Sequence, residues 1–298
     1  MSALLLLALC LLLGWLVARF ANPPAALAPS LNWWVINVAF SALVLNLIPK
    51  LRLDWHLWFL VAAMWFVFLG AWGFFTLIGK ALHWSRGRIG ALTLVCGLGN
   101  TSFIGFPMVE ALRGEEGLKL ALFGDQVGTF LALGVGGTIV AALYSGKSVA
   151  PIAIVRRVLF FPPFMSLLAG ICVALAGGWP TMIDEILARI GATLVPLALF
   201  SVGLQFKLHF GKGQLGAIAL GLGWKLLLVP LIVWLAGSLL HVEGAILTIA
   251  VLQSAMAPMI SATILATQND LEPTLANTVL GIGILLAFVT VPIANALL

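Results

Sequence analysis

Along this 298-residue chain, apolar residues run in long stretches, and polar or turn-forming residues collect in short clusters between them. Read with that punctuation, the runs predict ten spans at about 2–20, 31–49, 57–79, 89–112, 117–143, 158–178, 182–205, 214–240, 244–267 and 273–297. Each is near the length that crosses a bilayer as a helix, about 20 residues. The connections carry Pro, Gly or charge, as in Asn22-Pro23-Pro24 and Gly211-Lys212-Gly213. Trp33, Trp34, Trp55, Trp58, Trp84 and Trp179 stand at span edges, where an amphipathic ring suits the headgroup region. Thr181 to Asp184 has the spacing of a capping box opening span seven, and Pro273 suits the first turn of span ten. The first twenty residues lack a basic n-region, and Pro29 follows the one plausible cleavage triplet, so they read as a helix rather than a signal peptide.

Two spans depart from the pattern. Span four reads CGLGNTSFIGFPMVEAL from Cys96 to Leu112 and packs Gly97, Gly99, Asn100, Thr101, Ser102, Gly105 and Pro107 into one short stretch. Span nine reads VLQSAMAPMISATILATQ and holds Gln253, Ser254, Pro258, Ser261 and Thr263. A helical proline removes a donor and clashes with the carbonyl four residues back: Phe103 for Pro107, and Ser254 for Pro258. In hydrocarbon a freed backbone group costs several kcal/mol unless protein or water satisfies it. Such breaks are therefore expected where helices cross or line a cavity. There, half-helix N-termini offer partial positive charge to an anion, and C-termini offer carbonyls to a cation. The alternative is an ordinary proline kink whose hydroxyls bond back to their own helix.

The two spans occupy matching places. Leu92-Thr93-Leu94-Val95 recurs as Leu247-Thr248-Ile249-Ala250, 155 residues later, and each leads through small and polar residues to a proline. This predicts repeats over 1–148 and 149–298. Five spans per repeat is an odd number, so the second copy must be inverted, as in secondary transporters.

Composition narrows the class. Hydrophobic residues make up 62% of the chain and charged ones 8%, against about a quarter charged in a soluble protein. Mean hydropathy is +1.17. An all-α integral membrane protein is expected, with lipid as its solvent. Net charge is +5, but the basic residues are scattered through short loops, which points to topology rather than to nucleic acid. With the N-terminus outside, the inner side holds Arg19, Lys80, Arg86, Arg88, Lys147, Arg156, Arg157, Lys207 and Lys212. The outer side holds Lys50, Arg52, Arg113, Lys119 and Arg189. Both termini are thus expected outside. Cys10, Cys96 and Cys172 lie in apolar runs and imply no disulfide framework. No metal-ligand spacing, nucleotide loop or nucleophile motif occurs in the sequence, so neither an enzyme nor ATP-driven transport is expected.

GNTSFIGFP with its following Gly-Glu-Glu-Gly, the Trp-Lys-Leu-Leu-Leu-Val-Pro run at 224–230, and QSAMAPMISATILATQ resemble the auxin efflux carrier family, in its bacterial type. The resemblance covers essentially the whole chain. It implies ten helices in two inverted five-helix repeats with helices four and nine broken and crossed, similar to bile acid symporters and sodium/proton antiporters. It also implies a scaffold of spans 1, 2, 6 and 7 and a moving transport domain of spans 3–5 and 8–10. The family's cross-over motif falls on Asn100, Thr101, Gly105 and Pro107, and its partner on Ser254, Ala257 and Pro258. Where relatives often carry Asn-Pro at the start of span six, this chain has Phe161-Pro162-Pro163. The long cytosolic loop of plant auxin carriers is missing from the short segment joining spans five and six.

Two charges lie well inside spans. Lys225 is about 16 Å into span eight at 1.5 Å per residue, so it should face protein or water. It either attracts an anion or compensates half-helix C-termini. Asp125, followed by Gln126 and with Thr129 on its face, could bind a proton or sodium ion, pair with Lys225, or cap a neighbouring helix. Asn46, Ser201 and Gln205 sit on scaffold spans, facing either the translocation path or local backbone. Asp184 and Glu185 should complement the first turn of span seven. Glu110, Glu115, Glu116, Asp270 and Glu272 read as solvated loop charges, and Gly134, Gly136 and Gly137 as helix-packing positions.

The expected function is secondary active transport of a small organic anion, a carboxylate or auxin-like acid, by alternating access through an elevator-like or rocking motion around the crossing of spans four and nine. The expected substrate-binding residues are Asn100, Thr101, Ser102, Gly105, Pro107, Gln253, Ser254, Ala257, Pro258, Ser261, Asn46 and Gln205. Asp125 and Lys225 are assigned to coupling or dipole compensation. No cofactor is expected beyond a coupling proton or sodium ion. Partners are the anion, the bilayer of a bacterial inner membrane, and a second copy bound through scaffold helices. The alternatives are a sodium- or proton-carrying relative of the same fold, a channel, and a membrane ligand sensor.

Overall fold

A computed structural model describes residues 2–51, 55–146, 150–206 and 214–298. The Gly211–Gly213 connection and the loop charges Arg52, Lys147, Lys207 and Lys212 fall outside the described residues, as does the Arg157 side chain. The described residues are helical, with one isolated antiparallel bridge between Gly99 and Pro258. The helices are α1 Ser2–Phe20, α2 Leu27–Lys50, α3 Leu57–Ala81, α4 Arg86–Gly97, α5 Thr101–Ser145, α6 Pro151–Leu159, α7 Pro162–Leu175, α8 Thr181–Gln205, α9 Leu215–Leu239, α10 Gly244–Ser254, α11 Ile260–Gln268 and α12 Pro273–Leu297.

Six of these (α2, α3, α5, α8, α9 and α12) are long and apolar enough to cross a membrane. Leu5–Phe20, α7 and α10 are shorter apolar helices. At 45 residues, α5 exceeds a single crossing, and it turns at Gly114, where φ 66° and ψ −166° leave helical space. Only glycine takes that conformation readily.

The chain forms two compact units. Unit 1 comprises residues 1–54, 102–122 and 159–206. Here α1 packs on α8 through two glycines. A Cβ on Gly14 would stand 2.1 Å from the Phe200 carbonyl oxygen, and one on Gly203 would stand 2.1 Å from that of Leu11. This is the close backbone approach that small residues permit between membrane helices. Along α2, Trp179 Nε1 donates to the Leu45 carbonyl at 2.8 Å, and Lys50 pairs with Asp184 at 2.8 Å.

Unit 2 comprises residues 55–101, 123–158 and 207–298. Its centre is α3. Trp72 Nε1 donates to the Tyr144 hydroxyl at 3.2 Å, and Thr76 shares a 2.9 Å hydrogen bond with the same oxygen. Phe74 stacks on Trp224 with centroids 4.6 Å apart.

Several details differ from the sequence reading. Pro180, not Thr181, is the N-cap of α8, and it supplies no side-chain cap. Asp184 instead accepts from Asn46 Nδ2 and Lys50 Nζ, each at 2.8 Å, because a charged partner on a packed helix outweighs a weak local cap. Residues 151–157, expected as a connection, belong to the short helix α6, which runs on to Leu159. Glu272 is no solvated loop charge: it accepts from Ser85 Oγ at 2.8 Å and Arg88 Nε at 3.1 Å. Glu115 and Glu116 flank the buried Lys119 at 3.2 and 2.7 Å.

Overpacking typically costs about 1–3 kcal/mol, so Gly14→Val is expected to destabilise the protein by at least that much. Gly73 has nothing within 4 Å of its would-be Cβ, and Gly73→Ala should be near neutral. Thermal unfolding of the two purified variants checks the contrast.

Candidate functional site

The two interrupted helices meet within unit 2. α4 ends at Gly97, and Leu98 is extended (φ −121°, ψ 124°). α10 ends at Ser254, and Met259, just before α11, is extended as well (φ −83°, ψ 129°). The two extended stretches lie antiparallel. The Asn100 N–H donates to the Ala257 carbonyl at 2.7 Å, and the Met259 N–H donates to the Leu98 carbonyl at 3.1 Å. Each break therefore satisfies groups that the other exposes, which is what backbone buried away from water requires. The break in span four falls at Leu98–Asn100, not at Pro107. Pro107 stands just beyond a wide π-type turn, Thr101–Gly105, the kind of turn that absorbs helix irregularities.

Lys225 answers the remaining carbonyls. It sits in another π-type turn, Trp224–Leu228, and is fully buried. Its Nζ donates to the Ser254 carbonyl at 2.9 Å, the carbonyl that Pro258 was expected to release. A Cβ on Gly99 would lie 3.0 Å from the same Nζ and 3.3 Å from the Gln253 carbonyl. The ammonium thus stands beside the C-terminal ends of both α4 and α10, where the helix dipoles carry partial negative charge. Glycine at 99 leaves it the room. Gly283 plays a similar part against Pro258, whose Cδ would be 2.3 Å from an added Cβ.

The opposite charge, Asp125, lies midway along α5 and reaches the residue that starts that helix. Thr101 donates its hydroxyl to Asp125 Oδ1, and Gln126 Nε2 donates to Asp125 Oδ2 at 2.9 Å. Asp125 is 2% exposed. Its carboxylate therefore complements the positive end of the half-helix that Thr101 opens. The facing wall of α3 is apolar: Leu60 lies against Gly124, and Met64 with Val61 against Gly128. Gln253 reaches Gly124 from α10, with its Oε1 2.5 Å from a would-be Cβ. By contrast, Met259, the N-cap residue of α11, has no polar side chain with which to cap that helix.

Of the residues expected to bind substrate, Asn100, Thr101, Gln253, Ser254, Ala257 and Pro258 gather at this crossing, all buried, and Ser261 opens α11 half-buried. Ser102, Gly105 and Pro107 belong to unit 1. There Pro107 lines a cavity of about 390 Å³ with Leu7, Leu43, Val195, Pro196 and Glu110. Glu110 is exposed, as a solvated charge would be, but it stands on helix α5 and lines this cavity rather than lying in a loop. Asn46 and Gln205 are engaged within unit 1. Asn46 binds Asp184, and Gln205 Nε2 donates to Ser201 Oγ at 3.1 Å, which itself donates to Asn32 Oδ1 at 2.6 Å. The sequence reading did not single out Leu98 and Met259, whose contribution is backbone alone. It also passed over Gly124 and Gly283, whose role depends on neighbours distant in sequence.

Among the described residues, several helices long and apolar enough to cross a membrane, with a pair of broken helices bonded at their breaks, are those of a multi-pass membrane protein. The sequence profile described as membrane transport protein, that of the auxin efflux carriers, matches residues 1–149 and 147–294. The chain belongs to this family, a family of transporters and not of enzymes. It is similar to an uncharacterized transporter of Methanothermobacter thermautotrophicus, 27% identical over 278 residues, which covers 91% of this chain and 89% of that one. An uncharacterized transporter of Methanocaldococcus jannaschii is 26% identical over 194 residues, 62% of this chain and 60% of its own length.

Lys225→Met should leave the Ser254 carbonyl without its donor, at a cost of about 1–3 kcal/mol. The melting temperature of the purified variant should fall accordingly. An unchanged melting temperature would show that the carbonyl is satisfied without the ammonium.

Proposed function

We propose that this protein is a secondary active carrier of a small organic anion, such as a carboxylate or an auxin-like acid, which binds at the crossing of the two broken helices. One observation carries the reading: the four half-helix ends at the crossing are not electrically equivalent. Lys225 serves the C-terminal ends of α4 and α10. Asp125 serves the N-terminal end at Thr101. The first-turn N–H groups of α11, with Ser261 among them, remain as donors for a carboxylate. Asn100, from the break in span four, and Gln253, from the last turn of α10, would orient the ligand. Lys225 acts here through the backbone it holds, and its positive charge favours an anion nearby without touching it.

The carrier reading comes with an architecture. Ten spans in two inverted repeats accommodate both the Gly114 turn within α5 and the pairing of α4–α5 with α10–α11. A scaffold of spans 1, 2, 6 and 7 draws support from residues 1–54 and 159–206 grouping in unit 1, although that unit also holds residues 102–122 of spans four and five. Alternating access would then move the segments of unit 2 that hold the crossing, and both termini would lie outside, in keeping with the loop charges.

The test is counterflow of labelled carboxylates in proteoliposomes. Saturable exchange of at least one acid is expected. Asn100→Ala should reduce it roughly tenfold or more while the protein remains folded and inserted, the loss expected when a hydrogen bond to a charged group is removed. Conductance in planar bilayers, or binding across the acid panel without exchange, would contradict the carrier reading.

A further inference from the structure

We propose that Asp125 is a proton-binding site, and that Thr101 and Gln126 pass its charge state to the break in span four. The geometry points to a proton because every atom needed for two protonation states is already assembled and enclosed. In the ionised state both carboxylate oxygens are met by hydrogens, one from the Thr101 hydroxyl and one from the Gln126 amide at 2.9 Å. A sodium ion would need oxygen lone pairs at those same positions. Beside the carboxylate, Gln126 Oε1 is buried without a hydrogen-bond partner, and so is Thr129 Oγ1 on the next turn. Gln126 is 0% exposed and Thr129 2%.

A buried acceptor without a donor is costly, and a protonated carboxyl supplies the missing donor. When a proton from solvent adds to Oδ2, a half-turn of the Gln126 amide brings Oε1 to accept from the new O–H. The balance is simple: one O–H bond forms and nothing leaves.

The surroundings isolate this event. On α3 the facing residues are Leu60, Val61 and Met64, and the one ionisable side chain of that helix, Lys80, lies at its far end. From α10 comes the neutral Gln253, and residues 132–137 of α5 carry no charge. Lys225 holds its Nζ by Gly99, two residues before Thr101, and the Cys96 thiol stands beside Gly221. Protonation would thus remove the negative charge that meets Thr101 at the start of α5, next to Asn100, whose N–H holds the crossing through Ala257.

The proton site deepens the carrier reading by naming the coupling ion, and its role in transport rests on that reading. Its existence does not, so the test uses no transport. Infrared difference spectra of the purified protein in lipid are recorded between neutral and acidic buffer, with and without sodium. A protonated-carboxyl carbonyl band is expected on acidification. It should be absent in Asp125→Asn, shifted in frequency in Gln126→Leu, and indifferent to sodium. A band that persists in Asp125→Asn, or that sodium suppresses, would overturn the proposal. Should Asp125→Asn fail to fold, Gln126→Leu decides, and an unshifted band overturns it.

Discussion

Backbone polarity inside a low-dielectric solvent is the constraint on which this structure turns. An unbroken helix satisfies its own N–H and C=O groups, whereas a broken one exposes them at a cost of several kcal/mol each. Two breaks placed side by side cancel much of that cost, because the Asn100 and Met259 donors meet the Ala257 and Leu98 carbonyls. The surrounding sequence follows from the need to bring two backbones that close. Gly99 clears space for the Lys225 ammonium, and Gly283 for the Pro258 ring.

Charge completes what the mutual hydrogen bonds leave undone. Charges buried within membrane spans are rare because they are expensive, and they mark sites where a partner or a function offsets the cost. Here both fit one electrostatic scheme. Lys225 faces two helix C-terminal ends, and Asp125 faces a helix N-terminal end. Such a scheme is self-consistent at rest and sensitive to perturbation, because a change at either residue alters the stability of the crossing itself. A membrane transporter needs its binding site and its moving parts to share that sensitivity.

Much of this was legible in the chain. The hydrophobic runs located α3, α8, α9 and α12 to within two residues because apolar length in a membrane is a strong signal, whereas α5 runs through two expected spans; span ten ends where expected, at Pro273 and Leu297. The matching prolines exposed both interruptions, and the Ser254 carbonyl was identified as one that Pro258 would free. The exact site of the first break was not legible. A proline suggested position 107, but the Thr101–Gly105 turn absorbs that irregularity, and the chain opens instead at Leu98–Asn100. Nor could the sequence foresee that Asp184 would bind Asn46 and Lys50 rather than cap its own helix, or that Glu272 would pair with Arg88. Those partners are more than 130 residues away, and local spacing carries no information about them.

Backbone hydrogen exchange of the protein in lipid nanodiscs, with and without a carboxylate found to exchange, tests the central claim most directly, since protection reports whether these hydrogen bonds hold in the native state. The amides of Asn100 and Met259 should be strongly protected, and the first turn of α11 should gain protection when the acid binds. Rapid exchange across both breaks, or protection that the acid leaves unchanged in α11 and alters elsewhere, would contradict the account.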